Sequence, residues 1–338
     1  PDDLVRLAAA GRAVVNIFRP GGVGGFILRR LLLGIVVLVL VSVLVFLATQ
    51  ALPGDPARAI LGRSATPASL AALRRQLHLD RPVIEQYWTW VTGLLHGDLG
   101  RSLAAQEPVS TLLGAKLVNS AVLVAIAAVL SIPLSIAIGA WAALKREKAF
   151  DTVSSILLLV LAALPEFVVA LVLVILFATT VFHFLPAIST VPPGSRPWDN
   201  WEALVLPTVT LVIAVAPYVA RIMRASMIEV LESDYVEMAR LKGLPERTVL
   251  IRHALPNALG PVFQVIALNL AYLAGGIIVV EFVFNYSGIG GAIQEAVTNH
   301  DLPVVQALAM LIAAVYVILN LLADVATILV TPRLRTRL

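Results

Sequence analysis

The chain has no cysteine, which excludes disulfide scaffolds, thiolate metal sites and cysteine nucleophiles. Charge is scarce too. Asp, Glu, Lys and Arg make up 14% of the 338 residues against 59% hydrophobic, and mean hydropathy is +0.92. That balance excludes a water-soluble enzyme. The 25 basic and 21 acidic residues leave a net charge of +4, too small an excess on so apolar a chain for a nucleic-acid binder. No Gly-Lys dipeptide occurs, so the phosphate-cradling G-x-x-x-x-G-K-[ST] loop is missing. His78, His96, His183, His253 and His300 have no metal-ligand spacing, so no metal site is expected. Asn285-Tyr286-Ser287-Gly288 does not match the G-x-S-x-G nucleophile elbow, which argues against an intramembrane hydrolase.

What the chain has is long apolar runs. A bilayer core about 30 Å thick needs about 20 apolar helical residues. Six runs qualify: Leu31 to Leu52, Val118 to Leu144, Val153 to Ala178 interrupted by Pro165 and Glu166, Ala203 to Ala220, Ala258 to Phe284, and Val304 to Val330. The Val/Leu/Ile content of the first would read as strand in water, but in lipid it must be helix, because only a helix satisfies its own backbone.

Lys and Arg orient the spans, since cytoplasmic segments retain them. With the N-terminus inside, 17 fall on the cytoplasmic side and eight outside. Seven of the eight lie in the loop from Pro53 to Leu117, about as long as the rule covers. The expectation is an all-α polytopic membrane protein with six transmembrane helices and both termini cytoplasmic. It comprises a leader (1–30), span one (31–52), an extracytoplasmic loop (53–117), a five-helix core (118–330) containing a cytoplasmic loop (221–256), and a basic tail (331–338). Residues 1–24 read equally as an interfacial helix or a disordered basic leader.

The extracytoplasmic loop has helical signals. Thr66 with Pro67 reads as an N-cap followed by proline at the first helical position, and Leu70, Leu73 and Leu77 keep helical spacing. Pro82 opens a second stretch and Pro108 a third that runs into span two. Such a helical lid either holds a gate, docks an external partner, or packs as a cap.

The cytoplasmic segment Arg221 to Pro256 is too polar to cross lipid and reads as two short helices. Asp234 with Glu237 resembles a capping box, Tyr235, Met238 and Ala239 share a face, and Gly243 sits where a helix would end. Pro245 then starts a second helix that Pro256 interrupts. Such an elbow suits a groove on another protein, or packs against its own bundle.

These residues carry a resemblance. Glu237-Met238-Ala239, three residues, Gly243, nine residues and His253-Ala254-Leu255-Pro256 resemble the EAA loop of ATP-binding-cassette importer permeases. Met238 stands where alanine is usual and His253 where isoleucine is usual. Further elements resemble the first permease subunit of the dipeptide/oligopeptide family. They are Arg29-Arg30-Leu31, Pro53-Gly54-Asp55-Pro56, Gly97-Asp98-Leu99-Gly100 with Ser102, Glu281-x-Val-Phe284, Gly288-Ile-Gly290, Asp301-Leu-Pro303, Asn320-Leu-Leu-Ala-Asp324 and Pro332-Arg333. Ser287 replaces a usual proline and Thr331 a usual aspartate. The resemblance implies a non-catalytic subunit of the bacterial plasma membrane. Its partners would be a second homologous permease, two ABC ATPases that bind the ATP and Mg, and an external substrate-binding protein. It further implies that Asp234, Tyr235, Glu237, Met238, Ala239, Gly243, Leu244, His253, Leu255 and Pro256 couple to the ATPase. The cargo would be dipeptides or oligopeptides, with nickel complexes and haem as alternatives.

Polar residues inside the spans are the remaining candidates, because a charge at the bilayer centre costs about 2.5–3.5 kcal/mol on insertion scales. Glu166, Gln264, Asn269 and Glu281 are candidates for the substrate path, with structural pairing the alternative for each. Asn320 and Asp324 share one face of span six, as expected for inter-helix hydrogen bonding. An ion-coupled secondary carrier would instead use Glu166, Glu281 and Asp324 as ion sites.

Overall fold

The computed structural model describes residues 23–51, 57, 65–76, 80–192 and 194–330. The leader before residue 23, Pro53-Gly54-Asp55-Pro56, Leu77 and the tail from Thr331, including Pro332-Arg333, lie outside the described residues. So do the surroundings of Gly275-Gly276.

Helices make up nearly all of the rest. They are α1 (Val23–Ala51), α2 (Pro67–Gln76), α3 (Val83–Leu95), α4 (Val109–Leu144), α5 (Ala149–Ala163), α6 (Glu166–Val174), α7 (Trp201–Leu231), α8 (Asp234–Leu241), α9 (Glu246–Thr248), α10 (Leu255–Val283), α11 (Ile289–Thr298) and α12 (Leu302–Val330). Among the described residues, four helical stretches are long and apolar enough to cross a membrane: Gly24–Ala51, Val109–Leu144, Pro197–Leu231 and Leu302–Leu322. The pair α5 and α6 makes a fifth if it is one broken span. The protein is therefore a helical, multi-pass membrane protein.

α7 is the central pillar. Of its apolar stretch 72% is buried, against 11–28% for the other three. Leu211, Val215, Val219 and Met223 of α7 pack with Leu123 and Ala127 of α4 and with Val262, Ile266, Leu273 and Ile277 of α10. Lipid is as apolar as these side chains, so close packing rather than water exclusion must hold the helices together, and small residues set the approach. At Gly139 a Cβ would sit 2.4 Å from the Ala220 carbonyl oxygen and 2.7 Å from the Met223 Cβ. At Gly34 it would meet Val317 at 2.7 Å, where α1 rests on α12. Pro133, Pro207, Pro217 and Pro261 lie inside helices and do not end them, as neighbouring helices allow in membranes.

The third apolar run departs from the expected single span. α5 and α6 meet at a bend of 103°. Leu164, ahead of Pro165, is extended with φ −81° and ψ 129°, the conformation forced on a residue before proline. The proline also cannot continue the hydrogen-bond ladder of α5. α6 then runs into a π-helical turn, Ile175–Thr179. Around Pro256 the expectation fails in the other direction. The proline does not interrupt: a π-helical segment, Val249–Ala254, feeds into α10 with Pro256 in its first turn, where no amide proton is needed.

The far end of the bundle from α8 carries α3 and α11. Thr66 caps α2 as expected, its Oγ1 accepting from the Ser69 amide at 3.2 Å while Ser69 Oγ accepts from the Thr66 amide at 2.9 Å. α3 begins after Pro82 and α4 after Pro108. α11 is a short amphipathic helix with no counterpart in the sequence reading. Its Ile289, Ala292 and Ala296 form a small separate core with Val109, Leu113, Val304, Ala307 and Leu308.

Gly139→Val is expected to lower the thermal unfolding midpoint of the detergent-solubilised chain, since overpacking against backbone costs about 1–3 kcal/mol. Gly114→Ala, in open space on the same helix, should leave the midpoint unchanged or slightly raised.

Candidate functional site

The elbow is built from an inward and an outward face. α8 buries Val236 and Ala239, which pack with Val249 beneath Val230 and Leu231. Its other side carries apolar residues into the open: Tyr235 is 45% exposed, Met238 53% and Leu241 74%. Leu244 and Ile251 continue that exposed apolar surface. Ala239 thus lies on the buried face, not with Tyr235 and Met238. Asp234 and Glu237 are exposed in the first turns, but no side-chain cap forms there; Ser233 holds the N-cap position.

Gly243 turns the chain. Its φ of +71° lies in the left-handed region, and its amide donates to the Arg240 carbonyl at 2.9 Å while the Leu244 amide reaches back to Ala239. This is a glycine-terminated helix end. Arg240 clasps the bend by a two-pronged ion pair to Glu246, at 2.8 and 3.2 Å. The guanidinium holds the Glu246 carboxyl below its ordinary value, and the carboxylate raises Arg240. The six-residue spacing is not helical, so the pair was invisible in the sequence. His253 and Leu255 are partly buried in the run leading to α10, and Pro256 is exposed.

Two ion pairs tie the elbow's stem to the turn between α4 and α5. Arg224 of α7 grips buried Asp151 of α5, at 2.5 and 2.7 Å. Arg146 pairs with Glu232 at the last turn of α7. The elbow's stem is thus joined to α5 as well as to α7 and α10. Arg30 of α1 pairs with Asp324 of α12 at 3.1 Å, whereas Asn320 bonds only to the Tyr316 carbonyl of its own helix.

At the opposite end, the structure joins motif residues that are far apart in the chain. Glu281 is completely buried. It accepts from Ser120 Oγ and from the Gly290 amide, at 2.6 Å for the latter. A Cβ on Gly288 would collide with its carboxylate, which explains the glycine beside it. Tyr286 Oη donates to the Asn119 carbonyl at 3.0 Å and Asn119 Nδ2 to the Ser287 carbonyl at 2.8 Å. Asp301 repeats the arrangement, accepting from Ser102 Oγ and from the Leu103 amide at 3.0 Å. Glu281 is thus an internal staple, buried within this chain and off any open path.

The other three path candidates lie on one side of the bundle. Gln264 is exposed on α10, while Asn269 is partly buried with its Nδ2 on the Val265 carbonyl, 2.8 Å away. Glu166 is partly exposed at the start of α6 and accepts from Tyr272 Oη of α10 at 3.2 Å. Tyr218 of α7 donates to the Ala162 carbonyl at the end of α5, 3.1 Å away. Sequence reading missed both tyrosines. Tyr272 lies two turns from Gln264 on the same helix face, which was the available signal.

The helical bundle with its projecting elbow falls, by comparison with known families, among membrane transport components. Residues 135–336 match the inner membrane component of binding-protein-dependent transport systems, and residues 24–137 match the N-terminal part of such components. The chain belongs to that family. It is 36% identical over 314 residues to a "Probable peptide ABC transporter permease protein" of Sinorhizobium fredii, covering 92% of this chain and 99% of that one. It is 36% identical over 310 residues to the "Glutathione transport system permease protein" of Salmonella choleraesuis, covering 92% and 98%.

The Arg240–Glu246 clasp has a pH signature. A depressed carboxyl contributes stability above its unfolded value and loses it as pH falls through the folded one, so the bend should loosen below about 4.5. For so exposed a pair the effect is small, about 0.2–1 kcal/mol. Glu246→Gln is expected to lower the hydrogen-exchange protection of the Lys242 to Leu244 amides at neutral pH, measured against their intrinsic rates, and to abolish the further loss of that protection on acidification.

Proposed function

We propose that this chain is a permease subunit of an ATP-driven importer of peptides, forming half of the translocation pathway and moved by a partner ATPase through the elbow at Gly243. Family membership and the peptide and glutathione permeases among its relatives support the cargo class. The observation that carries the reading is the elbow itself. A helix that spends Val236 and Ala239 on its own bundle still presents Tyr235, Met238 and Leu241 outward. An apolar helix face left open in an aqueous compartment is the signature of helix-in-groove docking.

In this reading α10 is a sixth span, uncharged from Leu255 to Val280, and the α5–α6 pair is a broken fifth. Both termini and the elbow are cytoplasmic, and the segments around α2, α3 and α11 face outward, toward an external binding protein. A second homologous permease completes the path, and two ABC ATPases hold ATP and Mg beneath it. This chain itself does no chemistry. Asp234, Tyr235, Glu237, Met238 and Leu244 are the ATPase-facing residues. Gly243 sets the bend, and Ala239, His253, Leu255 and Pro256 fasten it to α10. Nucleotide-driven displacement of the elbow then rotates α4, α7 and α10 as a rigid unit, with α5 drawn along by its ion pair to α7, exposing the path to alternate sides. Gln264, Asn269 and Glu166 border that path.

Replacing Tyr235 and Leu241 by Asp is expected to reduce co-purification of the ATPase with this chain by about thirtyfold, the loss from removing two apolar hot-spot residues. Gly243→Val should do the same through backbone strain at its left-handed bend, with the isolated chain still folding but unfolding at a somewhat lower temperature. Undiminished ATPase recovery with both variants would contradict the coupling role.

A further inference from the structure

Resting on that permease reading, we infer that Glu166, Tyr272 and Tyr218 form a site for the positively charged amino terminus of the migrating peptide, at the break between α5 and α6.

The exposed faces of the bundle differ in chemistry. α4 presents Val118, Val129, Leu130, Leu134 and Trp141, and α5 presents Val153, Ile156, Leu157, Leu159 and Val160. Those are lipid-facing surfaces. The face of α10 is different: Asn257, Gln264, Leu268 and Tyr272 follow one another at steps of seven, four and four residues, all exposed. Glu166 of α6 and Tyr218 of α7, the latter 44% exposed between buried Pro217 and Val219, border the same side. A carboxylate, two phenols and two amides on one side keep acceptor and donor capacity that lipid cannot meet, even after the bonds Tyr272–Glu166, Tyr218–Ala162 and Asn257–His253, and so mark water or a polar partner.

Within that face the break places a carboxylate near helix-end carbonyls. Glu166 has one hydrogen-bond partner, Tyr272, and no Lys, Arg or His forms an ion pair with it among the described residues. The carbonyl end of α5 stops at Ala163, three residues before it, while Glu166 is itself the first residue of α6, at that helix's positive pole. Broken helices that expose such ends are how membrane transporters make ion sites. A metal is a poor fit, since no three acidic or histidine side chains gather among the described residues. A primary ammonium has three donors in a compact head and fits a carboxylate oxygen, a phenol oxygen and a helix-end carbonyl. The peptide's carboxylate is repelled by the same group, so the site would also orient the cargo.

The natural absence of cysteine makes the test direct. Tyr272→Cys is prepared in the reconstituted assembly, with Glu166 intact and with Glu166→Gln. Each is labelled with 2-aminoethyl and with 2-sulfonatoethyl methanethiosulfonate, followed on this chain, with rates normalised to a free thiol. The cationic reagent is expected to react about tenfold or more faster while Glu166 is present, and the preference should vanish with Glu166→Gln. ATP-driven uptake of trialanine by Glu166→Gln should fall about tenfold while ATP hydrolysis is maintained. If Tyr272→Cys does not assemble, Leu268→Cys, one turn away on the same face, takes its place. No labelling by either reagent, a preference indifferent to Glu166, or undiminished trialanine uptake would overturn the site. Failure of the permease reading would appear separately, as no ATP-driven uptake by the unsubstituted chain.

Discussion

A bilayer offers polar groups nothing to bond to, and the fold of this chain follows from how each of its few polar side chains meets that constraint. Asp151 takes Arg224, Glu281 takes Ser120 and the Gly290 amide, and Asp301 takes Ser102 and the Leu103 amide. Each pairing joins segments distant in the chain. Because an unpaired buried carboxylate is so costly, each also specifies one arrangement of the helices it joins. The rigid unit formed by α4, α7 and α10 owes its shape to close apolar packing, and its registration at both ends to these staples.

Function sits where the constraint is inverted. At the elbow, apolar side chains stand where a water-facing helix should be polar. Along α10 and the α5–α6 break, polar side chains stand where a membrane helix should be apolar. In the proposed reading both departures are surfaces that are incomplete in a single chain: one for an ATPase, the other for the permeating cargo. The ion pairs Arg224–Asp151 and Arg146–Glu232 lie between them, so a displacement at the first surface is carried by paired charges and packed helices toward the second.

Much of this was legible in the sequence. Run length pointed to the long helices, and proline and glycine positions located the starts of α3 and α4 and the bend at Gly243. Turn chemistry is local, so it survives without a structure. The departures arise where tertiary context decides. Whether Pro165 kinks or folds back a span, and whether Pro256 ends a helix or starts one, depends on neighbours and on a π-helical segment that no residue pattern announces. α11 was missed because ten residues are too few for a periodic signal beside two long spans. Glu281 read as a path residue because a charge in a span looks alike whether it faces water or a serine 161 positions away. Ala239 was assigned to the wrong face because Val236, its buried neighbour one turn back, was not weighed.

The central claim is that the exposed face of α8 is gripped by a partner. Tyr235→Cys and Met238→Cys, placed singly in this cysteine-free chain, should react readily with a water-soluble maleimide in the isolated permease. On assembly with the ATPase they should be protected by about tenfold or more, as expected for side chains at the desolvated centre of an interface. Equal reactivity before and after assembly would mean that nothing holds the elbow, and would contradict the account.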